Sequence, residues 1–217
     1  MEAWEHPIET GELPEDGSQF DVIVVGGGPG GSAAAAYNAL NGNKVLLLEK
    51  DVWPRDKICG DAVGGKSLSH VEELGVLPMI RATPYYQVDS IVFGSANGSE
   101  VKVMLPKKSY EEKGLMSGFA LPRVQFDYMM FKKATDIVLE NQGAVIQGFS
   151  VNDVHDDKQR ITGVSGRFGK RGEEGPTLTY SASLTIGAGG YRCPVSTKLV
   201  EDLHGARMRA EAHDCGG

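Results

Sequence analysis

Apolar residues in this chain keep three different rhythms, and the changes between them lay out the expected fold. Asp21-Val22-Ile23-Val24-Val25 opens with an unbroken β-branched run, the pattern of a strand buried on both faces. Lys44-Val45-Leu46-Leu47-Leu48 repeats that pattern, and the small-residue run Ala33-Ala34-Ala35-Ala36 between them reads as a helix stopped at Asn41-Gly42-Asn43. From Tyr86 to Met104 the pattern becomes that of a hairpin, with Ile91-Val92-Phe93, a turn over Ser95–Gly98, then Val101-Lys102-Val103-Met104. Pro122-Arg123 opens the best helix, in which Phe126, Met130, Ala134 and Ile137 recur at helical spacing up to Asn141-Gln142-Gly143. A shorter helix is expected around Ser67–Leu74, and short strands over 144–147, 149–154, 160–167, 177–183 and 184–186, with turns at Asp156-Asp157-Lys158 and Lys170–Gly175.

The first strand runs directly into Gly26-Gly27-Gly28-Pro29-Gly30-Gly31, a G-x-G-x-x-G motif. Strand, tight turn and helix in that order suit a dinucleotide pyrophosphate. Gly26 lets the chain turn off the strand, Gly28 clears the approach of phosphate to backbone, and Gly31 lets the helix lie close to the sheet. The free N–H groups of the first helical turn then face the anion. Glu49 ends the second strand eighteen positions after Gly31, where a carboxylate can accept hydrogen bonds from ribose hydroxyls. A 2′-phosphate at this place would meet that negative charge. A glycine-rich turn alone is weak evidence; strand, glycines, small-residue helix, second strand and acid together are much stronger.

Composition narrows the partners. The chain has 217 residues and a formal net charge of −7, so no basic face recommends nucleic acid. No apolar run reaches the ~18 residues of a membrane span, and Met1–His6 lacks the charge and apolar core of a signal peptide. A cytoplasmic protein is the expectation, with peripheral membrane contact left open. Cys59, Cys193 and Cys215 are widely spaced, and the five histidines (His6, His70, His155, His204, His213) are scattered through polar sequence. They read as surface residues, and no metal site is proposed.

Residues 51–66 lack periodicity and are dense in glycine and charge, as in a functional loop. With the glycine motif and Glu49-Lys50, the segment Pro54-Arg55-Asp56-Lys57-x-Cys59-Gly60-Asp61 and Arg123-x-x-Phe126-Asp127 resemble the geranylgeranyl reductase group of FAD-dependent oxidoreductases. That group lies within the aromatic-hydroxylase-like flavoprotein superfamily, which includes flavin-dependent halogenases. The resemblance runs from about Phe20 to Leu199. It implies an α/β fold: a Rossmann-like FAD-binding β-α-β domain with inserted antiparallel hairpins. Its expected organisation is a flexible lead-in over 1–19, the FAD-binding unit and loop over 20–80, a substrate-domain hairpin over 81–120, a return to the FAD-binding domain over 121–200, and a tail over 201–217.

The resemblance assigns Gly26, Gly28, Pro29, Gly30 and Gly31 to the FAD pyrophosphate and Glu49, with Lys50, to the adenosine side. Arg55 and Arg123 are placed near phosphates and ribityl chain, Cys59 and Gly60 near the flavin ring or substrate channel, and Val151 among the cofactor contacts. Cys59 is also the candidate for shaping or protonating the reaction site. Read from the residues alone, Arg55 is equally a solvated loop charge, Cys59 a small buried side chain, Arg123 a helix-start residue, and Asp127 a partner of the helix dipole. Ser183-Leu184-Thr185-Ile186-Gly187-Ala188-Gly189-Gly190 resembles the superfamily's second glycine turn, adding Gly187 and Gly189 to the cofactor set. The usual aspartate is Gly189 here, so any role for that carboxylate is in doubt while the backbone role survives.

The implied activity is reduction of an isoprenoid carbon–carbon double bond, with hydride from NAD(P)H passing through FAD. Two alternatives stay open: a flavin monooxygenase or halogenase, and a nucleotide-binding module without catalysis. The halogenase motif Trp-x-Trp-x-Ile-Pro is absent from the sequence. The family's later Gly-Asp segment is absent too, so the chain is expected to be the front, truncated half of a flavoenzyme.

Overall fold

A computed structural model describes residues 3–105, 112, 118–169 and 175–204. The order is β1 (Gln19–Val25), α1 (Pro29–Leu40) and β2 (Val45–Leu48), then β3 (Ala62–Gly64), α2 (Ser67–Glu73) and α3 (Leu77–Arg81). Next come β4 (Tyr86–Gln87), β5 (Ser90–Gly94), β6 (Glu100–Met104), β7 (Gly118–Ala120) and the long α4 (Arg123–Glu140). β8 (Ala144–Ile146), β9 (Phe149–Asp156), β10 (Ile161–Phe168) and β11 (Leu178–Gly187) follow, before α5 (Pro194–His204). The described part of the chain forms two compact units, Glu9–Trp53 with Ala134–Gly217, and Met1–Ile8 with Pro54–Lys133.

The Glu9–Trp53 and Ala134–Gly217 unit is built on a six-stranded sheet in the order β8-β2-β1-β11-β10-β9. β8, β2, β1 and β11 are parallel, whereas β10 pairs antiparallel with both β11 and β9. The unbroken apolar runs of β1 and β2 follow from this position, since both lie inside the sheet and Val22–Val25 and Val45–Leu48 are buried. One cluster joins Ile23, Val25, Leu46, Leu48, Ile146, Phe149, Val164, Tyr180 and Val195. β1 has β2 on one side and β11 on the other, so the chain leaves it in opposite directions across the sheet. Ligands of open α/β sheets bind beyond the carboxyl ends of strands at such a switch point.

The other unit carries a three-stranded sheet, β3-β7-β4, and the separate antiparallel pair β5-β6. The hairpin expected over Ile91–Met104 is therefore present, with Ile91 opposite Val103 and Phe93 opposite Val101. These four side chains are 46–63% exposed.

Several sequence expectations hold. Phe126, Met130, Ala134 and Ile137 are all buried along α4. The helix near 67–74 is α2. Two expectations need correction. The strands over 177–183 and 184–186 are one continuous strand, β11, because pairing with β1 runs unbroken from Ser181 to Gly187. The lead-in expected to be flexible over 1–19 is fastened to β11 in its later part: Thr179 N–H donates to Asp16 Oδ1 at 2.7 Å, Gly17 N–H to the Thr179 carbonyl at 2.9 Å, and Tyr180 OH to the Pro14 carbonyl at 3.1 Å. Most of the turn over 170–175 and the tail past His204, with His213 and Cys215, lie outside the described residues. No helix among the described residues is long and apolar enough to cross a membrane.

Candidate functional site

Four parallel strands end level with one another. Ile146 pairs with Leu48, Leu48 with Val25, and Val25 with Gly187. The next residue of three of these strands continues the ladder: Glu49 N–H donates to the Ile146 carbonyl (2.9 Å), Gly26 N–H to Leu48 (2.7 Å) and Ala188 N–H to Val25 (2.8 Å). Glu49, Gly26 and Ala188 thus stand side by side along one carboxyl edge.

Two glycines make this edge possible. Gly26 has φ +110, which L side chains rarely adopt, and a Cβ there would lie 2.5 Å from the Ala188 carbonyl oxygen and 2.7 Å from Gly189 Cα. At Gly31 a Cβ would lie 1.7 Å from the Gly26 carbonyl oxygen and 3.1 Å from Ala188 Cβ. The first glycine turn, the start of α1 and the second glycine turn are therefore packed backbone to backbone. Gly30 faces open space. Gly28 is the N-cap of α1 with extended backbone, and Pro29 is at the first helical position, where its missing N–H costs nothing. Ser32 is buried and donates its hydroxyl to the Gly27 carbonyl at 3.0 Å, holding the loop on the helix. The first N–H groups of a helix lack partners within it, and together with the helix dipole they favour an anion here.

Glu49 is 3% exposed. Its Oε2 accepts the Gly27 N–H at 2.6 Å and its Oε1 accepts the Asp51 N–H at 3.0 Å. Hence the acid at the end of β2 reaches back across the edge and holds the glycine loop. Lys50 is exposed, its ammonium 3.8 Å from the Asp51 carboxylate. Gly187 and Gly189 lie in the second turn, over the buried Cys193: a Cβ at Gly187 would meet its Sγ at 2.9 Å, and one at Gly189 at 3.4 Å. Val151 is on β9, the outer strand of the sheet, opposite Gly166 and packed against the core cluster, two places from β11 and three from β1 in the sheet order.

Arg55, Cys59, Gly60 and Arg123 belong to the other unit. Cys59 and Gly60 are exposed and Arg55 is half-buried. Arg123 donates from Nε and Nη2 to the two oxygens of Asp127 at 2.5 and 2.7 Å. Asp127 is almost wholly buried, so it does more than favour the helix dipole. That bond, with the Asp127 charge and a hydrogen bond to Cys59, holds the guanidinium above its ordinary range against the opposing effect of burial. Asp61 secures the same helix start, its carbonyl accepting the Leu121 N–H at 3.1 Å and its Oδ1 the Arg123 N–H at 3.2 Å.

The structure therefore brings Gly26, Gly28, Pro29, Gly30, Gly31, Glu49, Gly187 and Gly189 to one strand edge, and places Cys59 with Arg123 in a second cluster. Reading the sequence missed Ala188, whose small size lets the two turns meet, and the fork between Arg123 and Asp127. The i, i+4 spacing of opposite charges was the available signal for that fork. His155, expected to be solvated, is half-buried with Nε2 2.5 Å from Ser165 Oγ. Among the described residues no group of His, Cys, Asp and Glu is placed to hold a metal.

An adenine dinucleotide fits this edge, because the glycines leave a cradle of bare backbone that side chains would fill, next to a helix start and a carboxylate. Comparisons with known proteins agree. The family described as FAD binding domain matches residues 19–215. Menaquinone reductase of Mycobacterium tuberculosis is 33% identical over 191 residues, 85% of this chain and 41% of that protein. Digeranylgeranylglycerophospholipid reductase 1 of Methanothermobacter thermautotrophicus is 34% identical over 114 residues, 52% of this chain and 27% of its own length. Among solved structures, the myxobacterial chondrochloren halogenase, described as an FAD-dependent halogenase, superposes with a TM-score of 0.68 at 27% identity, covering 82% of this chain and 39% of that one. The chain spans about two fifths or less of the length of these relatives. With its glycine cradle, its buried acid and a match over nearly its whole length, the chain belongs to the FAD binding domain family.

Proposed function

We propose that the chain is the nucleotide-binding part of an FAD-dependent oxidoreductase that reduces carbon–carbon double bonds of an isoprenoid substrate, with NAD(P)H as electron donor. The observation that carries the nucleotide half of this reading is the contact between Gly26 and the Ala188–Gly189 backbone, which joins two glycine turns into one bare surface above a helix start. The reductase half is supported by the names of two relatives, which act on menaquinone and on a digeranylgeranyl lipid. FAD, once held, supplies the hydride-transfer chemistry. The residues of this chain bind and orient it: the Gly28–Gly31 helix start holds the diphosphate, and Glu49 fixes the glycine loop and accepts from the ribose. Arg123 and Cys59 are assigned to the flavin or substrate side, with Cys59 shaping the reaction site. A lipid substrate fits peripheral contact with a membrane.

A second reading keeps the fold and exchanges alkene reduction for oxygen chemistry. It is favoured by the halogenase structure, at an identity similar to that of the reductases. Anaerobic incubation of the FAD-loaded protein with NADPH and a menaquinone or geranylgeranyl lipid separates the two. Loss of one double bond without oxygen supports the reductase; turnover only in air, with oxygenated product or peroxide, supports the other reading.

A further inference from the structure

The second glycine turn owes its missing side chains to a neighbour and not to its own backbone. Gly189 has φ −76 and ψ 10, a backbone open to residues with side chains, and Gly187 is not among the glycines of positive φ. What occupies the space is the start of α5. A Cβ at Gly187 would lie 2.9 Å from Cys193 Sγ and 3.0 Å from both Ser196 Oγ and Val195 Cβ. At Gly189 the three nearest atoms would all be those of Cys193: Cα at 3.2 Å, Cβ at 3.3 Å and Sγ at 3.4 Å. Cys193 has little room to yield. It is 2% exposed and belongs to the core cluster with Val25, Leu48 and Val195. Its N–H donates to the Gly190 carbonyl and its carbonyl accepts the Thr197 N–H, each at 3.0 Å. Ala188, between the two glycines, meets the first turn through Gly26 and Gly31. The second turn is therefore held by Cys193 on one hand and by the first turn on the other.

We propose that Cys193 is a positioning residue for the nucleotide: the bulk of its side chain against Gly187 and Gly189 sets how closely Ala188–Gly189 approaches Gly26, and so the shape of the bare backbone surface that receives the FAD diphosphate. The proposal rests on the reading above in taking that surface as the diphosphate site. Volume carries the effect, and no reaction of the thiol is involved. Cys193 is closed to a ligand, so whatever it does to binding passes through the turn. Extra volume at this position must displace either the core behind it or the turn in front. The core side is bounded by Val195, which is 0% exposed, whereas Gly187 and Gly189 are exposed and free to move outward. The turn therefore gives way first, and its contact with Gly26 changes.

Two equal enlargements of the core test it in the whole chain. Cys193→Val and Val164→Ile each add a single heavy atom to a buried side chain of the same cluster, the second on β10. Both should lower the urea midpoint of unfolding, as overpacking does. In a flavin fluorescence titration Cys193→Val should weaken FAD about tenfold or more, and Val164→Ile no more than about twofold. Cys193→Ser keeps the number of side-chain atoms and should bind within about threefold of the unaltered chain. Equal losses of affinity in Cys193→Val and Val164→Ile, or a loss in Cys193→Ser as large as in Cys193→Val, overturn the proposal, because a residue that only fills the core would move stability and leave affinity alone. Should Cys193→Val fail to fold, amide exchange on the unaltered chain decides. FAD should slow exchange at Gly190 and Cys193 as well as at Gly27 and Gly31; slowing in the first turn alone rejects the proposal. Failure of the folded, unaltered chain to bind FAD overturns the proposed function and this inference with it, whereas FAD binding that is indifferent to position 193 overturns this inference alone.

Discussion

Glu49→Gln perturbs a single atom, and its consequence can be worked from two distances. In the native chain both carboxylate oxygens accept a backbone N–H, from Gly27 at 2.6 Å and from Asp51 at 3.0 Å. An amide has only one oxygen, so one of those N–H groups would face an NH2 group instead, donor against donor, in a place almost closed to water. Losing a hydrogen bond to a charged acceptor costs about 1.5–3 kcal/mol. That loss should appear first as stability, read by urea unfolding through the buried Trp53 in the same unit. FAD binding should weaken as well, by about tenfold for each 1.4 kcal/mol that falls on the bound state, because the loop that Glu49 holds carries the cradle. Flavin fluorescence titration measures it. Lys50→Ala, one residue away and exposed, is the control for stability and should change it by no more than about 0.5 kcal/mol. Glu49→Gln with both unfolding and FAD affinity unaltered would refute the role given to this carboxylate.

Other consequences follow from the same structure. Gly31→Ala should abolish FAD binding and destabilise the chain by several kcal/mol, about the upper range for a single substitution, since its Cβ would overlap the Gly26 carbonyl oxygen at 1.7 Å; circular dichroism and FAD titration check both. Phe93→Lys on the open face of β5 should cost no more than about 0.5 kcal/mol and lower the binding of a hydrophobic dye, because that side chain is 61% exposed; a large loss of stability would contradict the exposure. Burial, and then the Asp16 charge, raise the Tyr180 phenol above its ordinary value of 10.0. A raised folded value means the contribution to stability is whole below pH 10 and is lost as the pH climbs through the folded value, so in an absorbance titration at 295 nm one tyrosine should ionise late, with loss of structure. Asp156 and Asp157 are lowered from 3.8, chiefly by backbone N–H groups of Lys158 for the first and of Gln159 and Arg160 for the second. A depressed value means their contribution is present above 3.8 and disappears as the pH falls through the folded values. Amide exchange at Lys158–Arg160 should accordingly speed up only below that point.

How legible each part was in the sequence depended on how local its cause is. The runs Val22–Val25 and Val45–Leu48 announced interior parallel strands because a strand buried on both faces needs no alternation. The long helix was equally plain, since Phe126, Met130, Ala134 and Ile137 recur on one stripe. β3, β7 and the short helix α3 were invisible, because three- to five-residue elements carry too little pattern and pairing across 58 residues, as between Ala62 and Ala120, leaves no local trace; β4 fell inside the stretch read as strand from Tyr86, but it pairs with β7 and not within the hairpin. At the site, the glycine spacing revealed the turn and Glu49 revealed the acid. The back-reach of Glu49 to Gly27 and the meeting of Gly26 with Ala188 were not visible, because both arise only when β2 and β11 are placed on either side of β1. Val151 had no support beyond family register, and the structure puts it on the outer strand of the sheet.

The central question is which part of the cofactor this chain grips. The glycine edge, the start of α1 and Glu49 are suited to a diphosphate with its adenosine, and none of them is specific to the flavin ring. Competition for bound FAD measures this directly. ADP should displace FAD from the chain, while FMN and riboflavin at the same concentration should not. Displacement by FMN with no effect of ADP, or no binding of FAD at all by a folded chain, would contradict it.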